Sequence, residues 1–165
     1  MREILFRGKD ESGILNHSWQ FGALDNTDEI FPKIIRLDRW GNKMIVNVVP
    51  QTVGQFTGLT ENGKRIFEGD ILKVKHGILG REEEKPKTPR NAYGLHYEEN
   101  ESGMFGRWFY YRNYVVEYKA HGNSRGKYIV RNGSDQCEFT NSLFLNHDAK
   151  IIGNIHDNPE LLLPK

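Results

Sequence analysis

Between positions 54 and 71 the chain reads Gly-Gln-Phe-Thr-Gly-Leu, then Asn-Gly-Lys at 62–64, then Ile-Phe-Glu-Gly-Asp-Ile at 66–71. This stretch constrains the fold more than any other. Its glycines supply left-handed backbone positions, Asn62-Gly63 makes a tight hairpin turn, and Ile66-Phe67 and Ile71-Leu72-Lys73-Val74 are strand formers. Such a pattern builds short strands joined by tight turns. It contains no nucleophile with a base, no phosphate loop and no metal-ligand spacing, so its signal is architectural rather than chemical.

The rest of the chain is punctuated in the same way, with short apolar segments separated by Gly, Asn and Asp clusters. The expected strands are Glu3–Arg7, Leu15–Phe21, Ile30–Leu37, Lys43–Val48, Ile71–Val74, Tyr114–Tyr118, Lys127–Val130 and Lys150–Ile155. Ile30–Leu37 and Lys43–Val48 read as a hairpin across Asp38-Arg39-Trp40-Gly41-Asn42, and Pro50 then interrupts pairing. The near-continuous Tyr114-Val115-Val116-Glu117-Tyr118 predicts a well-buried central strand. The fold class is therefore mainly β. A length of 165 residues suits a single domain with its own core.

Residues 81–100 read differently. Glu82-Glu83-Glu84-Lys85-Pro86-Lys87-Thr88-Pro89-Arg90 and Glu98-Glu99-Asn100-Glu101 predict a long exposed loop, either a solvated insertion or a functional lid. Next comes Phe105-Gly106-Arg107-Trp108-Phe109-Tyr110-Tyr111-Arg112, four consecutive aromatics between two arginines. Such a run is either a stacking platform with phosphate-binding guanidiniums or a strand with one aromatic face in the core. From Arg107 to Arg131 the cations Arg107, Arg112, Lys119, Arg125, Lys127 and Arg131 face Glu117 alone. Shared by one face, with Trp108 and Tyr110, they would form a candidate surface for an anionic partner; strand alternation would scatter them over two.

Charge over the whole chain is balanced, Lys+Arg 23 against Asp+Glu 22, so no global field selects nucleic acid or an anionic membrane. Cys137 is the only cysteine, which excludes an internal disulfide and fits a reducing compartment; it reads as a small core residue. The opening Met1–Lys9 has only three consecutive apolar residues and no run approaches a membrane span, so a soluble, cytoplasmic protein is expected. His147-Asp148 and His156-Asp157, with Asp70, match no compact metal-ligand spacing and read as loop histidines and turn-capping aspartates. Nucleophile-elbow, P-loop and dinucleotide motifs are absent from the sequence. No catalytic residue, metal or cofactor is assigned.

Three blocks resemble the YopX-like family of phage and prophage proteins. They are Arg2–Lys9, the central Gly54–Ile71 stretch, and Ile151-Ile152-Gly153-Asn154-Ile155-His156-Asp157-Asn158-Pro159-Glu160-Leu161-Leu162. The region from Gly80 to Arg112 carries no such signature, and Thr60-Glu61 stands where relatives often have an Asp-containing turn. The resemblance implies a mainly β protein with an SH3-like barrel core, additional N-terminal strands and the long exposed loop. Within one domain this places an N-terminal β region at about 1–50, barrel segments at about 54–80 and 107–157, and the loop at about 81–106. Family-specific catalytic or ligand residues are not implied. The signature residues Gly54, Gly58, Asn62, Gly63, Gly69, Asp70, Gly153, Asn154, Asn158 and Pro159 are read as folding determinants, with Asp70 accepting backbone N–H bonds at a turn.

Two functional classes follow. The first is a non-enzymatic binding module, a phage or prophage accessory factor engaging a host or phage protein through exposed aromatics such as Trp40, Trp108 or Tyr110. The alternative is a nucleic-acid-binding factor using the 107–131 patch. A small enzyme built on Asp70, Glu68 and His156 ranks third. Self-association through exposed barrel edges is a further expectation.

Overall fold

A computed structural model describes residues 4–14, 16–27, 30–89, 92–99, 106–121, 124–139 and 148–163. Among them are twelve strands, two short 3-10 turns and no α-helix, so the mainly β expectation holds. Each 3-10 turn, Pro50–Thr52 and Pro159–Leu162, begins at a proline whose fixed φ suits a first helical position. Two compact units divide the chain, Met1–Gly69 and Asp70–Lys165.

The first unit is a six-stranded antiparallel sheet of β1 (Phe6–Lys9), β2 (Trp19–Asp25), β3 (Lys33–Leu37), β4 (Lys43–Asn47), β5 (Gly54–Glu61) and β6 (Lys64–Phe67), in the order β4-β3-β2-β1-β5-β6. The Asp38–Asn42 hairpin forms as expected: Asp38 Oδ1 accepts the N–H groups of Trp40 and Asn42, both at 2.8 Å. Asn62 and Gly63, at φ 48° and 80°, make the turn that pairs Glu61 with Lys64. β2 begins at Trp19, later than the expected Leu15, because Asn16 and His17 both take left-handed backbone and cannot continue a strand.

Ile34, Val46, Val48, Phe56, Ile66 and Phe67 are the buried apolar residues of this unit. Removing one fully buried Ile from water stabilises by about 1.5–3 kcal/mol. Of the polar side chains buried with them, Thr57 Oγ1 donates to Ile66 O at 2.9 Å, and an Arg7 Nη donates to Glu68 O at 2.9 Å. The Arg7 guanidinium also lies 4.5 Å from the Trp19 ring and 5.0 Å from Phe67. Beyond β1 and β4, Asp10 bridges Val48, but among the described residues no ladder joins β6 to β4. The sheet is thus open.

The second unit contains β7 (Asp70–Gly80), β8 (Tyr93–Glu99), β9 (Gly106–His121), β10 (Ser124–Asn132), β11 (Asp135–Glu138) and β12 (Lys150–Asn154), in the order β11-β10-β9-β7-β12. β9, sixteen residues long, organises it. Val115 pairs with Ile71 on one side and Arg131 on the other, while Tyr111 pairs with Lys75 and Tyr93. β8 and β10 therefore follow one another along the edge of β9 opposite β7.

Two expectations are corrected. The barrel core expected at about 54–80 and 107–157 is not a closed barrel: residues 54–67 pair in the first sheet and 70–80 in the second, separated by the turn at Gly69. The loop expected at about 81–106 contains a strand, since Tyr93–Glu99 pairs with β9. Acidic residues at 82–84 and 98–99 made the segment read as solvated, whereas Tyr93, His96 and Tyr97 supply rings that pack on β9.

At the chain's closing block, the register of β12 shifts between Ile151 and Gly153, a β-bulge. A Cβ at Gly153 would lie 2.4 Å from Asn158 Oδ1. Asn154 Oδ1 accepts the N–H groups of His156 and Asp157 at 3.0 Å each, and Asn158 N donates to Asn154 O at 2.9 Å. The strand is thereby ended in a turn before Pro159.

Candidate functional site

Period-two alternation divides the aromatic-basic run of β9 between two faces. Trp108, Tyr110 and Arg112 share a face with the buried Tyr114 and Val116. Trp108 is 8% exposed; its Nε1 donates to Arg81 O at 3.0 Å and its ring meets Tyr97 at 5.2 Å. Tyr110 stacks on His76 at 5.1 Å, and Arg112 is ion-paired with Asp135. These three side chains hold the unit together.

Arg107 and Lys119 lie on the other face, at opposite ends of β9 and roughly 40 Å apart at the ordinary strand rise. Lys127 pairs opposite Lys119, and Arg131 opposite Val115, so both join Lys119's end. There Arg131 bonds Glu117 at 2.8 Å and Lys119 bonds Gln136 at 3.1 Å. Arg125's side chain lies outside the described residues. The seven described candidates thus occupy three places, not one surface.

A different set converges where β7, β8 and β9 run side by side. Tyr93 and His96 of β8 face Tyr111 and Phe109 of β9, and Lys73 and Lys75 of β7 flank them. The rings form a continuous series: Tyr93 to Tyr111 at 6.0 Å, Tyr111 to His96 at 6.0 Å, His96 to Phe109 at 5.6 Å. Lys73 Nζ is 4.2 Å from the Tyr111 ring and Lys75 Nζ 3.8 Å from Phe109. Glu98 bonds Lys75 at 3.0 Å and His96 at 2.9 Å. Hydrogen bonds from those two groups hold the Glu98 carboxyl below its ordinary range. Reading along the chain missed Lys73, Lys75, Tyr93 and His96, because this cluster exists only across strands. The Lys-Val-Lys alternation at 73–75 was its one linear trace.

In the first unit, register aligns Ala23, Ile35 and Ile45 across β2, β3 and β4, with Leu37 on the same side. Phe21 precedes Ala23 by two residues and joins them. Phe21 is 45% exposed, Ile45 55% and Leu37 66%. At the hairpin tip Trp40 is 71% exposed, with the Arg39 guanidinium 4.0 Å from its ring. Lys33 and Lys43 alternate with the apolar residues on this same side.

The enzyme candidates gather no shared geometry. Glu68 is half-buried and accepts the Gln55 N–H at 2.9 Å; burial pushes its carboxyl up, partly offset by that bond. Asp70 is buried and pairs with Asn154, and the His156 backbone belongs to the Asn154 turn. Asp148 bonds Lys150 at 3.3 Å, while His147 and the Cys137 side chain lie outside the described residues. Among the described residues no three His, Cys, Asp or Glu side chains are grouped to hold a metal ion, and no helix is long and apolar enough to cross a membrane.

No curated protein and no solved structure matches the chain. A family model described as YopX protein matches residues 22–163, taking in the central and closing signature blocks and leaving the opening block before it. With most of its length covered, the chain belongs to the YopX family.

Proposed function

We propose that this YopX-family chain is a non-enzymatic binding module, a phage or prophage accessory factor acting in the cytoplasm of a bacterial host on a host or phage protein. The observation that carries this reading is the outward face of β2, β3 and β4. Its exposed Phe21, Leu37 and Ile45, with Trp40 at the tip, form an apolar patch of the kind that marks interaction sites rather than a scatter of single residues. Arg39, Lys33 and Lys43 border it. The partner chemistry that fits is an apolar protuberance ringed by carboxylates, with Trp40 and Arg39 as the residue types that dominate interface energetics. The SH3-like element that the family resemblance implies is retained as part of this proposal.

Affinity capture from host lysate, run with the wild-type chain and with a Leu37→Ser/Trp40→Ala variant of unchanged far-UV spectrum, tests it. A discrete protein retained by the first and lost with the second is expected, and its purified form should bind the variant at least tenfold more weakly. Identical retention by both chains would overturn the reading.

A further inference from the structure

The geometry points to a second, independent site: the Tyr93–His96–Phe109–Tyr111 face of β8 and β9, with Lys73 and Lys75 of β7, binds single-stranded nucleic acid, bases on the rings and phosphates on the cations. It does not rest on the first unit's patch.

Four observations carry it. First, the four half-exposed rings are contiguous, with centroid steps of 5.6–6.0 Å. Core packing of these strands is supplied by their other face, through Trp108, Tyr114 and Val116. Second, two glycines shape the surface. A Cβ at Gly77 would come within 3.2 Å of the Phe109 ring, and one at Gly94, with φ +69°, within 3.1 Å of Tyr111. Their absence of side chains gives both rings room to lie against the sheet. Third, the rings are held in place: Tyr93 OH donates to Asn113 Oδ1 at 2.7 Å, Asn113 Nδ2 donates to Leu161 O at 2.6 Å, and His96 Nδ1 is 2.9 Å from Gly94 O. A preorganised platform loses less entropy on binding.

Fourth, the charge is placed for a strand of phosphates. Lys73, Lys75 and Arg107 share this face with Glu98 as the carboxylate opposite Arg107. Flat ring series bordered by flexible ammonium groups are how sequence-tolerant single-strand binders work, because every base has a π-face. A duplex hides those faces, so the site should prefer single strands.

The test is fluorescence anisotropy with the full chain and labelled oligo-dT, oligo-U and a DNA duplex of equal length. Single strands are expected to bind more tightly than the duplex, the two oligomers distinguishing DNA from RNA as the physiological form. Tyr111→Leu should weaken binding about tenfold or more. Lys73→Gln with Lys75→Gln, which removes both ammonium groups and keeps all four rings, should weaken it and reduce the slope of log affinity against log salt by roughly 0.7 per lysine. Lys119→Gln with Lys127→Gln, at the far end of β9, should change little. The proposal is overturned by duplex binding that equals or exceeds single-strand binding, by no salt-sensitive retention of any oligomer, or by loss of binding in the Lys119/Lys127 variant but not in the Lys73/Lys75 variant. A Tyr111→Leu chain that failed to fold would leave the lysine comparison to decide.

Discussion

The ammonium of Lys75 lies 3.8 Å from the centre of the Phe109 ring. Register places Gly77, not Lys75, directly opposite Phe109, so the contact is diagonal and depends on the bare backbone of Gly77. Glu98 holds the same ammonium at 3.0 Å. Removing that carboxylate in Glu98→Gln should release Lys75 and His96 and tighten oligo-dT binding on the order of threefold at low salt. Unchanged or weaker binding would mean that this face does not meet phosphate.

Glu68 makes the first unit's stability depend on pH. Burial raises its folded-state pKa above the unfolded value, so the folded chain binds more protons than the unfolded chain between the ordinary carboxylate range and the raised value. Its contribution to stability therefore falls as pH rises through that window and recovers as pH falls. Glu68→Gln keeps an acceptor for the Gln55 N–H and removes the ionisation. Urea midpoints measured from about pH 4 to 7 should show a smaller decline with rising pH in the variant. Superimposable profiles would remove Glu68 from the account.

The signature glycines should separate into two classes. Gly63 has φ +80° and nothing within 4 Å of an added Cβ, so Gly63→Ala meets only backbone strain, about 1 kcal/mol. At Gly54 the added Cβ would lie 2.7 Å from Glu68 O, a backbone atom, and Gly54→Ala should cost about 2 kcal/mol or more. Equilibrium urea unfolding ranks them, and equal losses would contradict the distinction.

Trp108 ties the irregular segment after β7 to the sheet through its Nε1 bond to Arg81 O. Trp108→Phe keeps an aromatic ring and loses that bond, at a cost of about 1–2 kcal/mol. Limited trypsin digestion should then cut faster at Arg81 and Lys87 than in the wild type. Equal cleavage rates would show that the bond does not restrain the segment.

What was legible in the sequence is what is local. Asn62-Gly63 and Asp38–Asn42 declare their hairpins because turn geometry is written in adjacent residues. The face across β7, β8 and β9 was not legible. Lys75, His96 and Phe109 meet only through pairing between strands far apart in the chain, and the acidic residues beside Tyr93 and Tyr97 hid a strand. For the basic run from Arg107 to Arg131 the sequence left two arrangements open, and it is the scatter by alternation that its described side chains adopt. The exposure of Leu37 and Ile45 was not legible either, since periodicity marks a side of a strand without saying whether anything covers it.

Site-specific photocrosslinking in the bacterial host tests the binding-module reading most directly, with a benzophenone side chain placed at position 37 and, as control, at Glu61 beside the Asn62-Gly63 turn. One discrete crosslinked product is expected from position 37, missing from position 61 and lost in the Trp40→Ala background. Equal crosslinking from both positions, or a position-37 product indifferent to Trp40, would contradict it.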